Sequence, residues 1–390
     1  MRWIDKDTSP SVPPARRIAF WKAITEQRPE DARAFVMLAQ GLSDLNEWPA
    51  VVAALQTARE ISPQSFDRFE KLAGALLSLH RYDEVLSTVE DYARKQTPSW
   101  PSLLFKARAL HALGRADEAR RAAQSAVEAS PHAFEAAEQL LRWTCLARDG
   151  GALLAACDAL PDPFRNSAAC LGFRAIALDL LGRTDEAGSL MDFRRFVRQY
   201  AIPVPAGFAD VAAFNGDLAA EIARHAVPYV SGGDPDSLVD ATLDVAGATV
   251  YPRLAEWVRE AIDKRIGEAA IGGGDPLVAS PPAAGYLLGR AFIYRRGASN
   301  GVHMHSAGVV SGVYHVQVPD RAKAPDVAPG VLLLGLAPPE LQGYRPSWPI
   351  YRITPEPGIL SLFPSYVYHD FEPTLSSQAR IAIGLDLRAA

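Results

Sequence analysis

The feature that most constrains this chain is a pattern that returns every 34 residues. L-N-E-W-P-A-V from Leu45, L-H-R-Y-D-E-V from Leu79, L-G-R-A-D-E-A from Leu113, A-R-D-G-G-A-L from Ala147 and L-G-R-T-D-E-A from Leu181 start at equal 34-residue intervals. Pro29, Pro63, Pro98 and Pro131 punctuate the same cycle, each placed to break a helix before the next unit. Small Gly114 and Gly182 suit a tight inter-helix turn, and Ala119 and Ala187 let paired helices approach closely. A helix over 14–27 reads as the unpaired second helix of an incomplete first unit. The fourth unit is degenerate: Asp149-Gly150-Gly151 replaces the usual turn and Pro161 arrives early, so a local irregularity is expected there.

A 34-residue period with L-G-R-x-D-E-A at the turn resembles the tetratricopeptide repeat. The resemblance implies an all-α solenoid over 11–200, whose concave groove would hold an extended peptide or a partner helix. Residues 1–10 are polar and expected to fray. Residues 201–206, A-I-P-V-P-A, read as a short stiff linker to a second domain at 207–390.

The second domain changes character along its length. Helices are expected near 211–226 and 238–268, the latter from the one-sided spacing of Val250, Leu254, Trp257, Val258 and Ile262. Gly272–Gly274 and Ser280–Ala284 read as loops. From 286 onward the pattern is short and β-rich. Strands are expected at Tyr286–Tyr294, Val302–His305, Val309–Val318, Val331–Leu336, Ile350–Ile353, Ile359–Phe363, Tyr366–Phe371 and Ile381–Leu387, which suits a sandwich or barrel. Residues 320–330 and 337–349 read as loops, with Tyr344 and Trp348 anchoring the second or lining an entrance.

The residues that carry chemistry lie in this β-rich part. His303 and His305 are two apart and face the same way on an extended strand. His369 follows a Pro-Gly turn on a distant strand, and Arg380 lies eleven residues beyond it. Imidazoles with an open position and a nearby guanidinium fit a redox-active divalent metal and an acidic co-substrate. Asp370 adjoins His369 but points to the opposite strand face, so it is not assigned as a ligand.

The ordered set N-G-V-H-M-H, S-G-V-Y-H-V, P-E-P-G, L-F-P-S-Y-V-Y-H-D and A-R-I-A-I-G-L resembles the non-haem Fe(II), 2-oxoglutarate-dependent oxygenases over roughly 285–388. That resemblance implies a double-stranded β-helix, or jelly roll, with flanking helices, so the whole is an α+β multidomain chain. It implies Fe(II) on His303, His305 and His369, with one histidine in the slot usually filled by an acid. Either both His303 and His305 bind, or one of them supports the other ligands. It implies Arg380 on the far carboxylate of 2-oxoglutarate, with Tyr294 and Tyr314 as further co-substrate contacts. Asn300 and Ser306 are candidates for supporting hydrogen bonds. His315, where tyrosine is commoner, should face away from Tyr314 toward packing or substrate. A hydroxyl often stands two residues after the arginine; here Ala382 does, so one contact is missing or comes from elsewhere.

The expected activity is hydroxylation of a C–H bond, with a peptide or protein substrate held by the repeats. One alternative is a repeat-containing adaptor with a degenerate jelly roll. Another is a cupin-type dioxygenase acting on a small molecule, since Gly297 to His303 has the spacing of a cupin first motif without its glutamate. Arg380 discriminates the latter, because a cupin has no need of it.

Composition narrows the partners. A net charge of −5 over 390 residues gives no reason to expect nucleic acid or a membrane surface. The start M-R-W-I-D-K-D lacks an apolar segment, and no run of apolar residues is long enough to span a bilayer. Cys145, Cys157 and Cys170 have no metal-site spacing and read as buried, reduced thiols, which suits a cytoplasmic protein. Neither G-x-x-x-x-G-K-[ST] nor G-x-S-x-G occurs, so nucleotide phosphoryl transfer and α/β-hydrolase chemistry lack support. Homo-oligomer formation through the repeats is left open.

Overall fold

The computed structural model describes residues 1–3, 14–63, 68–130, 133–162, 164–228, 238–242, 248–272, 275–294, 300–319, 330–373, 376 and 378–390. The chain divides into two compact units, residues 10–143 and residues 144–390 together with 1–9. It combines an N-terminal all-α repeat solenoid with a C-terminal jelly roll flanked by helices.

The helices follow the repeat. After α1 (Pro14–Gln27) come α2 (Ala32–Ser43), α3 (Trp48–Ile61), α4 (Phe69–Ser78), α5 (Tyr82–Ala93), α6 (Trp100–Ala112) and α7 (Ala116–Ala129). Then follow α8 (Phe134–Leu146), α9 (Gly150–Ala159), α10 (Ala168–Leu180), α11 (Thr184–Leu190) and the short α12 (Phe193–Phe196). The turns inside the pairs share one backbone solution. Asn46, His80, Gly114, Arg148 and Gly182 all take positive φ, between 55° and 78°. In four of them the next amide bonds back to the carbonyl five residues earlier: Glu47 to Leu42, Arg81 to Leu76, Arg115 to Leu110 and Arg183 to Leu178. This left-handed cap satisfies carbonyls that a helix end leaves open. It explains why the repeat shows most clearly at the turn. Interior faces are filled by small and branched residues such as Leu55, Ala58, Leu72, Leu76 and Val85.

The second unit is built on a sheet. Its strands are β1 (Arg2–Trp3), β2 (Arg198–Ala201), β3 (Val227–Pro228), β4 (Leu238–Thr242), β5 (Ala284–Tyr294), β6 (Gly308–Gln317), β7 (Leu332–Leu334), β8 (Tyr351–Ile353), β9 (Ile359–Pro364), β10 (His369–Phe371) and β11 (Arg380–Ala389). The major sheet runs β2-β9-β6-β11-β5-β4-β3, with β1 added parallel to β5, and the minor sheet runs β10-β7-β8. Helices α13 (Val211–His225), α14 (Tyr251–Gly272) and α15 (Pro276–Ala279) accompany the major sheet. Leu254, Val258 and Ile262 of α14 and Phe214 and Leu218 of α13 share a core with Val310, Tyr314, Ile381, Ile383, Leu385 and Leu387. The Glu221 carboxylate accepts from the amides of Thr249, Val250 and Tyr251, which caps the start of α14 with a negative charge.

Several expectations change. Residues 238–242 are strand, not the start of a helix, because they pair with β5 from Tyr294 to Arg290. The segment Val302–His305 makes only an isolated bridge, His303 to His369, and Tyr366–Tyr368 precede β10 instead of belonging to it. Arg2 and Trp3 pair with Ala284 and Gly285 where fraying was expected, and residues 4–10 lie outside the described residues. The loop at 320–330 falls outside them too, except for Gly330, as does Pro131.

The expected 201–206 linker is not where the units part. Ala201 ends β2, and the amide of Ile202 bonds to the Gly358 carbonyl. Helices α9, α10 and α11 carry the repeat pattern, yet they belong to the unit that holds the sheet. Tyr366 donates its hydroxyl to the Leu190 carbonyl at 2.8 Å, and Tyr344 donates to Asp179 at 2.6 Å. Among the described residues no helix is long and apolar enough to cross a membrane.

Candidate metal centre and anion pocket

The H-x-H segment runs antiparallel to the chain leading into β10. His303 and His369 exchange both backbone hydrogen bonds, at 3.1 and 2.8 Å, and the His305 amide bonds to Ser365 at 3.0 Å. The two-residue spacing therefore puts His303 and His305 on one side, against His369. Their ring centroids lie 4.4 to 5.1 Å apart, and one ligand nitrogen from each lies within 4.8 Å of the others.

Each imidazole has its second nitrogen held. His303 Nδ1 lies 2.7 Å from the Gly301 carbonyl, His369 Nδ1 lies 2.9 Å from the Val367 carbonyl, and His305 Nδ1 lies 2.5 Å from Asp386 Oδ1. Those oxygens accept, so each Nδ1 carries a proton, and a neutral ring held this way keeps its lone pair on Nε2. This is the arrangement that orients metal-ligating histidines. Burial holds the His303 ring below its ordinary pKa and the His369 ring well below it, so both stay neutral. Burial pushes the Asp386 carboxyl up, but His305, Ser311 and Arg388 outweigh it and keep the group ionised. Ser311 donates to Asp386 Oδ1 at 2.7 Å.

Alternation along β11 places the rest. Ile381, Ile383, Leu385 and Leu387 face the helices, so Arg380, Ala382, Gly384 and Asp386 face the other way, into the barrel. Arg380 is 1% exposed, and its Nε and Nη2 have no hydrogen-bond partner among the described residues. Its guanidinium lies 3.7 Å from the centre of the Phe371 ring and 5.0 Å from that of Tyr294. Burial lowers its pKa to about 10, so it stays charged at neutral pH. A buried cation with open N–H groups is costly unless an anion completes it.

Tyr294 pairs with Arg380 in register and accepts a hydrogen bond from Asn300 Nδ2 at 2.9 Å. Burial raises the Asp370 pKa, and Asp370 takes no place in the histidine cluster. Tyr314 was expected beside the co-substrate; it instead points to the helices. Its hydroxyl donates to Asn215 Oδ1 of α13 at 2.8 Å, and its ring meets Trp257 edge-on. The phase of β6 explains this: Val310, Tyr314 and Val316 pack on the helices, leaving Ser311, Val313 and His315 inside. Trp348 donates to the Gly335 carbonyl at 3.0 Å, so both loop aromatics serve as anchors.

Sequence reasoning passed over Asp386 and Ser311. A signal existed: Asp386 is an acid in an apolar run, three alternations from Arg380 and so on the same face.

Residues 291–386 match the family model described as "Putative 2OG-Fe(II) oxygenase". None of the curated proteins compared matches the chain. Among solved structures, the chain is similar to a Pseudomonas putida prolyl-4-hydroxylase at 18% identity, covering 52% of this chain and 98% of that one with a TM-score of 0.35. It is similar to YrrB, a TPR protein with an unusual peptide-binding site, at 18% identity over 44% and 89% with a TM-score of 0.36. A third is MamA from Desulfovibrio magneticus RS-1, at 14% identity over 38% and 83% with a TM-score of 0.35. The matched family implies Fe(II) and 2-oxoglutarate. The residues present fit both: three imidazole nitrogens converge, and a guanidinium whose Nε and Nη2 have no partner among the described residues is buried in the same barrel.

Proposed function

We propose that this chain is an Fe(II)- and 2-oxoglutarate-dependent oxygenase that hydroxylates a C–H bond of a peptide or protein side chain. The observation that carries the reading is the pairing of the three-histidine cluster with the buried Arg380, whose Nε and Nη2 have no partner among the described residues. His303, His305 and His369 would hold the iron through Nε2, and Arg380 would fix the far carboxylate of the co-substrate. Asp386 keeps His305 in the ligating tautomer. When bound, iron with 2-oxoglutarate and dioxygen supplies the oxidation: one oxygen atom goes to the C–H bond, the other to succinate, and carbon dioxide leaves. The protein's part is to hold the reactants in a dry, oriented site. The expectation of a substrate from the protein class rests on the helical repeats, whose stacked pairs form extended binding surfaces. Arg380 favours this reading over a cupin-type dioxygenase, which has no use for a buried arginine at that place.

Succinate formation with Fe(II), 2-oxoglutarate and oxygen tests the proposal. Wild-type protein should form succinate, and His369→Ala should abolish it by losing iron. Arg380→Ala should keep iron but need far more 2-oxoglutarate. Losing one partner of a buried charge-assisted pair costs about 2–5 kcal/mol, which is at least tens-fold in affinity. Metal-loaded wild-type protein that binds no 2-oxoglutarate would overturn the assignment.

A further inference from the structure

We infer that His315 is a second binding residue for the carboxylate that pairs with Arg380, a step that rests on the oxygenase reading. His315 is fully buried on the inner face of β6, and among the described residues neither of its ring nitrogens has a hydrogen-bond partner. Buried polar side chains are nearly always paired, so an imidazole with two open nitrogens needs an explanation. Its position gives one. His315 pairs directly with Ala382 across β6 and β11, and Ala382 stands two residues after Arg380 on the same face. A register shift between Ile381 and Ala382 leaves Val316 unpaired at this point, the kind of irregularity that re-aims a side chain. Diagonal neighbours across a strand pair are close enough for long side chains to meet, and Arg380 acts electrostatically on the His315 ring.

Two buried polar groups thus lie diagonally across β6 and β11: an imidazole, and a guanidinium whose Nε and Nη2 have no partner among the described residues. A single carboxylate satisfies both, accepting from Arg380 and from one N–H of a neutral His315. Ala382 offers no polar atom to that space, so the histidine opposite does the work that a hydroxyl at 382 would do. The geometry makes His315 selective for a ligand that carries a second, distal carboxylate.

The test is anaerobic calorimetric titration of Mn(II)-loaded, full-length protein with 2-oxoglutarate and, separately, with oxalate. Oxalate chelates the metal but has no carboxylate that reaches Arg380. His315→Phe should weaken 2-oxoglutarate about tenfold, the lower end for losing a hydrogen bond to a charged group, and leave oxalate and Mn(II) unchanged. Ala382→Ser in the His315→Phe background should recover part of the loss, and His315→Gln, which keeps a donor, should lose less than the phenylalanine variant. Unchanged 2-oxoglutarate affinity in His315→Phe would overturn the inference, as would equal weakening of both ligands. If His315→Phe does not fold, His315→Leu takes its place under the same criteria. Wild-type protein that binds oxalate but not 2-oxoglutarate would instead sink the oxygenase reading, and the inference with it.

Discussion

A histidine is a metal ligand only if its other nitrogen is told to keep its proton, and here three different acceptors do so. Asp386 is the one whose removal is cleanest to read. Asp386→Asn can present an amide donor to His305 Nδ1, which moves the proton to Nε2 and removes one ligand. Metal affinity should fall 10- to 100-fold, the usual cost of losing such a supporting group, as read by Mn(II) titration. A second expectation concerns acid. Burial holds His303, His315 and His369 below the ordinary 6.5, so between that value and their folded values the unfolded chain binds more protons. Stability of the metal-free protein should therefore fall as pH drops below 6.5, by up to about 1.4 kcal/mol per pH unit for each group. His315→Phe should make that acid limb shallower in melting curves recorded from pH 7.5 down. The H-x-H pair was legible because two-residue spacing puts His303 and His305 on one face, while His369 joins them through the backbone bridge between His303 and His369. Tyr314 was not, because alternation gives two faces without saying which is inside. Only the helices packed on Val310 and Val316 fix that.

At the scale of elements, the histidine strand is braced from an unexpected side. A Cβ on Gly172 of α10 would lie 2.9 Å from the Tyr366 carbonyl and 3.3 Å from Met304 Sδ, the residue between the two histidines. Gly172→Val should push α10 off that strand. We expect a loss of about 1–3 kcal/mol, typical of overpacking, with weaker Mn(II) binding. A variant with unchanged melting temperature and metal affinity would show that this contact is slack. The strand runs were readable from β-branched content between turn residues. Residues 238–242 were not, since their short apolar run suits a helix until pairing with β5 decides it. The stretch 302–305 read as strand for the right reason, its extended backbone, though only one bridge forms.

For the whole molecule, the repeat period announced the solenoid and the ordered motifs announced the jelly roll. What the sequence concealed is how the last helices divide. Their repeat pattern is the same as elsewhere, but α10 and α11 bond to Tyr344 and Tyr366, and β2 pairs with β9. Partner choice of this kind depends on three-dimensional contacts that no periodicity encodes. A fragment of residues 144–390 should accordingly melt cooperatively by circular dichroism. One of residues 207–390, which lacks β2, α10 and α11, should be insoluble or melt without a transition.

The five repeat turns also say something about heat resistance. A left-handed backbone costs a side-chain-bearing residue about 1–2 kcal/mol, yet Asn46, His80 and Arg148 occupy it where Gly114 and Gly182 stand in the sister turns. Asparagine tolerates the region best, and Arg148 donates to the Gln342 carbonyl, so exchange there would lose a tether. Among the described residues, His80 has an exposed bond to Tyr82 and an edge-on contact with its ring to give up. The solenoid therefore holds an unused margin at one position far along the chain from the chemistry, and a single glycine at 80 should raise the melting point while leaving the oxidation untouched.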